Sequence, residues 1–272
     1  VSVPRSSHLL VLGESGSGKG SVQANIIKQE VKADGEVWMV DLKHSFESSH
    51  YSSILSRQAG TLADMEELLR DFNREVDLRA EQWRGKTRNL TDKQATHRLL
   101  VIDEAGDAIR SGSEKKQSDS CVTLIRSALS RSRALNMTIV ISTQDPRMSS
   151  SLPYRNLLQT TVALRLNSRA EAVMALGEDA VRRGARPWQI QFNRPGDAYL
   201  WDPEQNTVRY LHVPFVTDEE IHSLRYLVGK DPRRQSASES RSGSQTQIDV
   251  AAQGATTTAP CEMRDGGNRY EH

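Results

Sequence analysis

A glycine-rich segment near the start of the chain carries the residue types of a phosphate-binding loop. It reads Gly13, Glu14, Ser15, Gly16, Ser17, Gly18, Lys19, Gly20 and Ser21, and it follows a short apolar run. Its glycines let backbone N–H groups curl into a concave anion site at a helix N-terminus, and Lys19 can reach the β- and γ-phosphates of a nucleotide. A glycine-rich turn with a surface lysine is the alternative. A second motif downstream favours phosphate binding, and ATP is the expected ligand.

That second motif is a pair of acids directly after the most apolar run of the chain, residues 99–102. A buried strand ending in Asp103 and Glu104 would deliver the first carboxylate to a metal ion. The second would act as the general base for the water that attacks the γ-phosphate. Solvated acids at a strand end are the alternative, which the phosphate loop upstream makes the weaker one. Together the two motifs predict ATP hydrolysis.

The expected magnesium site departs from the common pattern at one position. The hydroxyl residue that usually follows the lysine of the loop and binds magnesium is replaced by Gly20, and Ser21 is the nearest substitute. Magnesium readily keeps several waters in its octahedral shell, so either Ser21 or a water in place of a side chain at Gly20 would complete it. We therefore expect Mg²⁺ as a cofactor, with Asp103 and Ser21 as its candidate ligands.

A third polar group follows another apolar run, residues 139–141. Gln144 at its end could hydrogen-bond the γ-phosphate or the attacking water, although a polar strand exit is common. The candidate catalytic residues are thus Lys19, Glu104 and Gln144. Most nearby arginines are expected to be solvated or salt-bridged, and one of them is a candidate arginine finger for a neighbouring subunit: Arg126, Arg131, Arg133, Arg155, Arg165 or Arg169.

Runs with strand and helix periodicity alternate along the chain. Strands are predicted at residues 8–12, 36–41, 99–102, 138–142 and 160–166, and helices from Gly20 to about residue 32, from the Thr61/Asp64 capping box to about residue 84, and over about 118–135. Residues 197–201 and 207–213 read as an antiparallel hairpin, followed by a helix with a Thr217/Glu220 capping box. The pattern predicts an α/β fold of the P-loop NTPase, RecA-like type: a doubly wound, mostly parallel sheet with a C-terminal antiparallel hairpin.

Composition separates a folded part from a tail. The chain has 272 residues, a formal net charge of +1 and a mean hydropathy of −0.59, which is polar for a globular protein. Residues 231–272 contain hardly any large apolar side chain, so we expect a motor domain over residues 1–230 and a disordered tail over residues 231–272. Cys121 and Cys261 have no metal or redox spacing, and no apolar run is long enough to span a membrane, so a cytoplasmic location is expected.

Over about residues 6–228 the sequence resembles the FtsK/SpoIIIE family of hexameric DNA-translocating ATPases. The similarity in order and spacing covers residues 8–11, 40–43, 101–104, 133–134, 142–144, 195–197 and 216–221. The lysine-glycine-serine ending of the loop and residues 144–147 are most similar to Tra-type plasmid-transfer members from filamentous bacteria. The resemblance implies a homo-hexamer that pumps double-stranded DNA between cells.

Three features depart from the family pattern. Residues 41–45 are poorer in Pro and Gly than the family's loop, and Thr161 stands where many members place an arginine. Nothing in the chain resembles the winged helix that reads orienting sequences, so sequence-directed translocation is not expected. The chain begins at Val1, without Met and almost directly in a strand. We therefore expect an upstream segment in a longer protein, and membrane association through that segment is a further hypothesis.

Other functions share these motifs. Type VII secretion ATPases resemble the same family but usually carry several linked motor domains, and a chromosome-segregation DNA pump is a related alternative. An inactive structural ring subunit is disfavoured by Lys19, Asp103 and Glu104, while Gly20 keeps it open. The stimulus of the ATPase, whether DNA, a secreted polypeptide or nothing, discriminates between these functions.

Overall fold

A mixed β-sheet organises the residues that this computed structural model describes, which are 5, 7–43, 45–104, 115–146 and 154–228. Its strands are β1 (Leu9–Leu12), β2 (Glu36–Asp41), β3 (Arg57–Ala59), β4 (Arg98–Asp103), β5 (Met137–Thr143), β6 (Thr160–Ala163), β7 (Asp197–Asp202) and β8 (Thr207–His212). They lie in the order β3-β2-β4-β5-β1-β6-β7-β8. Strands β1 to β6 run parallel, and β7 and β8 are antiparallel to their neighbours. The predicted α/β fold class is confirmed.

Helices connect most of the parallel strands. They are α1 (Lys19–Lys32), α2 (Leu62–Trp83), α3 (Lys115–Arg131), α4 (Arg169–Leu176), α5 (Glu178–Arg182), α6 (Asp218–Ser223) and α7 (Arg225–Val228). None of the described helices is both long and apolar enough to cross a membrane. The predicted disordered tail, residues 231–272, lies outside the described residues.

The central strands are buried on both faces because helices cover both sides of the sheet. Along β1, Leu10 packs into a cluster that includes Phe72 of α2, while its neighbour Leu9 packs into a second cluster that includes Ile27 of α1. Successive side chains of a strand point to opposite faces, so β1 contributes to both cores. Burial of each such side chain stabilises the fold by roughly 1.5–3 kcal/mol, which fixes β1 and α1 and hence the loop between them.

The strand order brings the predicted functional segments to one edge of the sheet. Strand β5 lies between β1 and β4, with Leu12 paired to Thr143 and Ile102 paired to Ile141. Because these strands are parallel, their C-terminal ends meet at the same edge. The phosphate loop, the acidic pair and Gln144 all leave the sheet there.

Two predicted helix ends are realised by hydrogen bonds of different kinds. The Thr61/Asp64 capping box is complete, with each side chain bonded to the backbone N–H of the other residue. At α6, Thr217 Oγ1 accepts from Glu220 N at 3.2 Å, whereas the Glu220 carboxylate lies 3.2 Å from Lys28 Nζ. Only one of the two hydrogen bonds of the predicted Thr217/Glu220 capping box is therefore formed, because the Glu220 carboxylate pairs with Lys28 of α1 instead of the Thr217 N–H.

Other boundaries differ from the predicted ones for identifiable reasons. Strand β6 ends at Ala163 rather than at residue 166. After Ala163 the chain runs beside the phosphate loop, where Arg165 O accepts from Glu14 N at 3.1 Å. Helix α3 ends at Arg131 rather than at about residue 135, and a 3-10 turn leads to Asn136, whose φ of 58° is left-handed. The short strand β3 and helices α4 and α5 were not predicted.

A buried histidine joins β1 to its neighbours. His8 Nδ1 accepts from Ile139 N at 3.1 Å, so Nε2 carries the proton and donates to Leu129 O at 3.0 Å. Burial lowers the pKa of His8 from 6.5 to about 4, Arg133 acts in the same direction, and the bond to Leu129 opposes them. The neutral form of His8 is therefore the form that fits the fold.

We expect this histidine to make the fold acid-sensitive. In the unfolded chain His8 is protonated below its ordinary pKa of 6.5, whereas in the folded chain it stays neutral down to about pH 4. The free energy of unfolding should therefore decrease as the pH is lowered from 6.5 to 4, by about 3 kcal/mol in total from this group. Urea unfolding at a series of pH values measures it, and His8→Asn controls for carboxylates that titrate nearby. Parallel pH curves for wild type and variant would contradict the assignment.

Candidate functional site

The phosphate loop connects β1 to α1 and depends on two glycines in left-handed conformations. Gly16 has a φ of 72° and Gly18 a φ of 103°. A Cβ on Gly18 would lie 2.5 Å from Gly196 N, and that same N–H donates to Ser17 O at 2.9 Å. The loop is therefore held against the turn before β7, at a spacing that excludes any side chain at position 18.

The loop ends in an anion site. Gly18 is the N-cap of α1, and no side chain of the described residues caps that helix, so its first N–H groups point at the space in front of the loop. Lys19 Nζ lies over the same space and donates to Gly13 O at 2.8 Å and Glu14 O at 3.1 Å. Burial lowers the pKa of Lys19, while Glu104 and Asp103 oppose that shift. Phosphate oxygens fit this combination of N–H groups and a cation.

Glu104 lies opposite the loop and is held from three sides. Its carboxylate accepts from Gln144 Nε2 at 2.7 Å and from Gln144 N at 3.3 Å. Lys19 Nζ and Lys43 Nζ lie 3.8 and 3.7 Å from Glu104 Oε1. Glu104 itself has a φ of 50°, a left-handed conformation that is unusual outside glycine. Gln144, predicted to contact phosphate or water, is placed beside the predicted base.

Asp103 ends β4 and is bonded by side chains from two other elements. Its Oδ1 accepts from Gln23 Nε2 of α1 at 2.7 Å and from the hydroxyl of Ser142 on β5. Both partners are buried, as is Asp103. Among the described residues no hydrogen bond reaches Asp103 Oδ2. This oxygen suits a metal ion that is coordinated mainly by water and phosphate.

These groups line one cavity of about 580 Å³, a size typical of small-molecule sites. Its walls include the loop and α1 (Ser15, Gly16, Gly18, Lys19, Gly20, Ser21, Gln23), the polar strand ends (Asp103, Glu104, Gln144), the segment after β2 (Lys43, Phe46, Glu47, His50, Tyr51) and the segments near β7 and α6 (Pro195, Phe215, Val216, Asp218, Ile221). The structure thus brings all the predicted catalytic and metal-binding residues together, with Gly13, Glu14 and Ser17 completing the loop.

The residues present fit a magnesium ion bound together with nucleotide. In the described part of the chain no group of three or more His, Cys, Asp or Glu side chains is arranged to hold a metal by itself. Asp103 and the half-buried Ser21 both line the cavity, where their oxygens would be ligands for the ion. A Cβ on Gly20 would meet no atom within 4 Å, which leaves room for a water at that position. Magnesium prefers oxygen ligands and tolerates such a partly aqueous shell.

No family model and no curated protein matches the sequence. Solved structures match in fold. The pCW3 conjugation coupling protein TcpA, solved with ATPγS, has a TM-score of 0.69 at 16% identity over 82% of this chain and 64% of TcpA. EssC (ATPases 2 and 3) from Geobacillus thermodenitrificans has a TM-score of 0.64 at 14% identity over 84% of this chain and 45% of that one. This chain has the fold of a P-loop ATPase.

Another solved structure has the same fold in a shorter protein. The genome packaging NTPase B204 from Sulfolobus turreted icosahedral virus 2 matches with a TM-score of 0.52 at 14% identity, over 78% of this chain and 98% of B204. By contrast, this chain spans less than two thirds of the TcpA and EssC chains. The predicted resemblance to FtsK/SpoIIIE-type ATPases is confirmed at the level of this P-loop ATPase fold.

The candidate arginines mostly have partners within their own chain. Arg131, Arg133 and Arg169 pair with Asp77, Glu204 and Glu178, respectively. Arg155 is half-buried and donates to Thr161 Oγ1 at 3.0 Å and Ala175 O at 2.6 Å. Arg165 pairs with Glu14 of the phosphate loop and stacks on Phe192.

Sequence reasoning did not assign Gln23 or Lys43 to the site, and it named Arg165 only as a candidate arginine finger for a neighbouring subunit. Gln23 lies one helical turn after Lys19 and is a polar residue on the buried face of α1, a signal that was available. Lys43 is directed to the cavity by Asp41, whose carboxylate accepts from Lys43 N and Ser48 N at 3.0 Å each. That loop geometry, like the contact between Arg165 and Glu14, arises only from the tertiary fold.

Substitution by alanine should have opposite effects at two glycines of the loop. Gly18→Ala should abolish nucleotide binding, because its φ of 103° and the 2.5 Å approach to Gly196 N leave no place for a Cβ. Gly20→Ala should retain binding and stabilise the fold by about 0.5–1 kcal/mol, since alanine is the better helix former. Thermal unfolding and titration with a fluorescent ATP analogue measure both. Equal behaviour of the two variants would refute the loop geometry.

Proposed function

We propose that this chain is an ATPase that uses ATP hydrolysis to move double-stranded DNA, as a subunit of a homo-hexameric ring, in plasmid or conjugative DNA transfer. The observation that carries the proposal is the meeting of three groups at one cavity. The phosphate loop with Lys19 faces Asp103 and the Glu104–Gln144 pair across it. An ATPase needs an anion site, a metal-site carboxylate and a base for water in this mutual arrangement.

Each residue has a distinct role in the proposed hydrolysis. Lys19 and the first N–H groups of α1 bind the β- and γ-phosphates and stabilise the charge that develops there. Glu104 takes the proton from the attacking water, and the two hydrogen bonds from Gln144 hold its carboxylate in place. Lys43 adds a second positive charge 3.7 Å from Glu104 Oε1. Mg²⁺, when bound at Asp103 and Ser21, would neutralise phosphate charge.

DNA is the proposed track because two of the proteins that share this fold are named for conjugation or genome packaging. TcpA is a conjugation coupling protein and B204 a genome packaging NTPase. Contact with the phosphates of duplex DNA needs only a few Lys, Arg and N–H groups in each subunit, so a formal net charge of +1 is compatible with it. A cytoplasmic location, and membrane association through an upstream segment, belong to the same proposal.

A secretion ATPase is the second candidate. The type VII secretion ATPase EccC from Thermomonospora curvata has the same fold, with a TM-score of 0.62 at 17% identity over 83% of this chain and 28% of EccC. Its substrate class would be a polypeptide. A chromosome-segregation DNA pump would share the proposed chemistry, and its DNA would be chromosomal.

We expect Glu104→Gln to separate binding from turnover. The amide keeps the size of the side chain but cannot accept the proton of water, so the hydrolysis rate should fall by about 100- to 10,000-fold while the affinity for ATP is retained. Lys19→Ala should instead lose binding, because it removes the cation of the anion site. A fluorescent ATP analogue and a phosphate-release assay measure the two properties. Full hydrolysis by Glu104→Gln would rule out the proposed base.

DNA should stimulate the ATPase. If duplex DNA is the track, its binding must favour the hydrolysing state, so the rate should rise with DNA and this rise should fade as salt increases. It should be nearly independent of base sequence because phosphate contacts carry no sequence information. Rates are compared across several duplexes of equal length, with Glu104→Gln as the control for contaminating ATPase. Rings that hydrolyse ATP equally with and without DNA at low salt would favour the secretion candidate.

A further inference from the structure

Gln23 is a buried polar side chain that the proposed hydrolysis does not yet use. It lies on α1 between apolar neighbours, Val22 and Ala24, and is 3% exposed. A glutamine in such a place must find partners, because burial of an unpaired amide costs free energy. Its partners are side chains at the ends of two strands rather than the backbone of its own helix.

The hydrogen bonds of Gln23 use both protons of its amide nitrogen. Nε2 has two protons, and it lies 2.7 Å from Asp103 Oδ1 and 2.6 Å from Ser142 Oγ. The Ser142 hydroxyl has one proton, which it donates to the same Asp103 Oδ1. The three side chains therefore form a closed triangle in which every donor proton is assigned. Asp103 is the acceptor of two of its three bonds.

This triangle fixes the rotation of the Asp103 carboxylate. With Oδ1 occupied by Gln23 and Ser142, Oδ2 is the oxygen left for a ligand in the cavity that Gln23 and Asp103 both line. The bonds come from α1 and β5, the two elements that also carry the phosphate loop and Gln144. A shift of either element would therefore move the Asp103 carboxylate, whereas the Glu104 carboxylate is held separately by Gln144.

We propose that Gln23, together with Ser142, is a positioning residue for the divalent metal: it holds Asp103 so that Oδ2 faces the metal bound with the nucleotide. This inference rests on the proposed ATPase function. Partners that orient a metal-binding side chain typically contribute 10- to 100-fold to metal affinity. Gln23 itself makes no contact with the metal or the phosphates in this role.

The test measures metal and nucleotide binding separately in the full chain. Binding of Mn²⁺ in the presence of ATPγS is followed by electron paramagnetic resonance, and binding of a fluorescent ATP analogue is followed in EDTA. Gln23→Leu removes both donor protons at similar volume. Ser142→Ala, a smaller change, removes the other bond to Asp103 Oδ1 together with the bond that Ser142 accepts from Gln23. Gln29→Leu, the same substitution at an exposed position of the same helix, is the matched control.

For Gln23→Leu we expect Mn²⁺ affinity to fall at least about 10-fold, with metal-free nucleotide affinity within about twofold of wild type. Ser142→Ala should show a loss of the same kind, which keeps the test valid if Gln23→Leu does not fold, and Gln29→Leu should match wild type. Unchanged Mn²⁺ affinity in both site variants would overturn the inference, as would an equal loss of metal-free binding, which indicates a merely structural role. A wild type without metal-dependent nucleotide binding would instead overturn the proposed function.

Discussion

The position of β5 between β1 and β4 is the constraint on which the site depends. Parallel strands place the phosphate loop and the acidic pair at one edge, but two strand spacings, roughly 10 Å, separate the ends of β1 and β4. Side chains must bridge that gap. Lys19 and Gln23 do so from the first turns of α1, reaching Glu104 at 3.8 Å and Asp103 at 2.7 Å. The helix that provides the anion site thus also connects the two halves of the site.

The site combines unusual backbone with polar contacts that hold it. Glu104 has a φ of 50°, which for a residue other than glycine costs on the order of 1 kcal/mol. Two hydrogen bonds from Gln144 offset that cost and direct the carboxylate to the cavity. On the other side, the turn at Gly196 holds the loop through its bond to Ser17 O. Both halves of the site are therefore held in place by contacts within the chain.

The sequence was informative where a local pattern determines the structure. The strands β1, β4 and β5 are apolar runs that stop at polar residues, so both the strands and the site at their ends were predictable. The polar strand β3 has no such pattern, and its pairing with β2 is decided by the tertiary fold. Likewise, Gln23 and Asp103 are 80 residues apart, and no local signal gives their contact. The interrupted capping box at Thr217 has the same origin, since Lys28 of a distant helix takes the Glu220 carboxylate.

The glycine after Lys19 and the triangle around Asp103 can be understood together. Nothing in the described structure crowds position 20, since a Cβ there would meet no atom within 4 Å, so packing does not impose glycine. Without a hydroxyl at that position, a divalent ion in the proposed site has fewer side-chain ligands, and more of its binding depends on the Asp103 carboxylate. A freely rotating carboxylate would lose rotational entropy on binding the ion, whereas one already fixed by Gln23 and Ser142 has lost it during folding. Because Gly20 supplies no ligand, metal binding depends more on Asp103. The buried triangle lowers the entropic cost of metal binding at that residue.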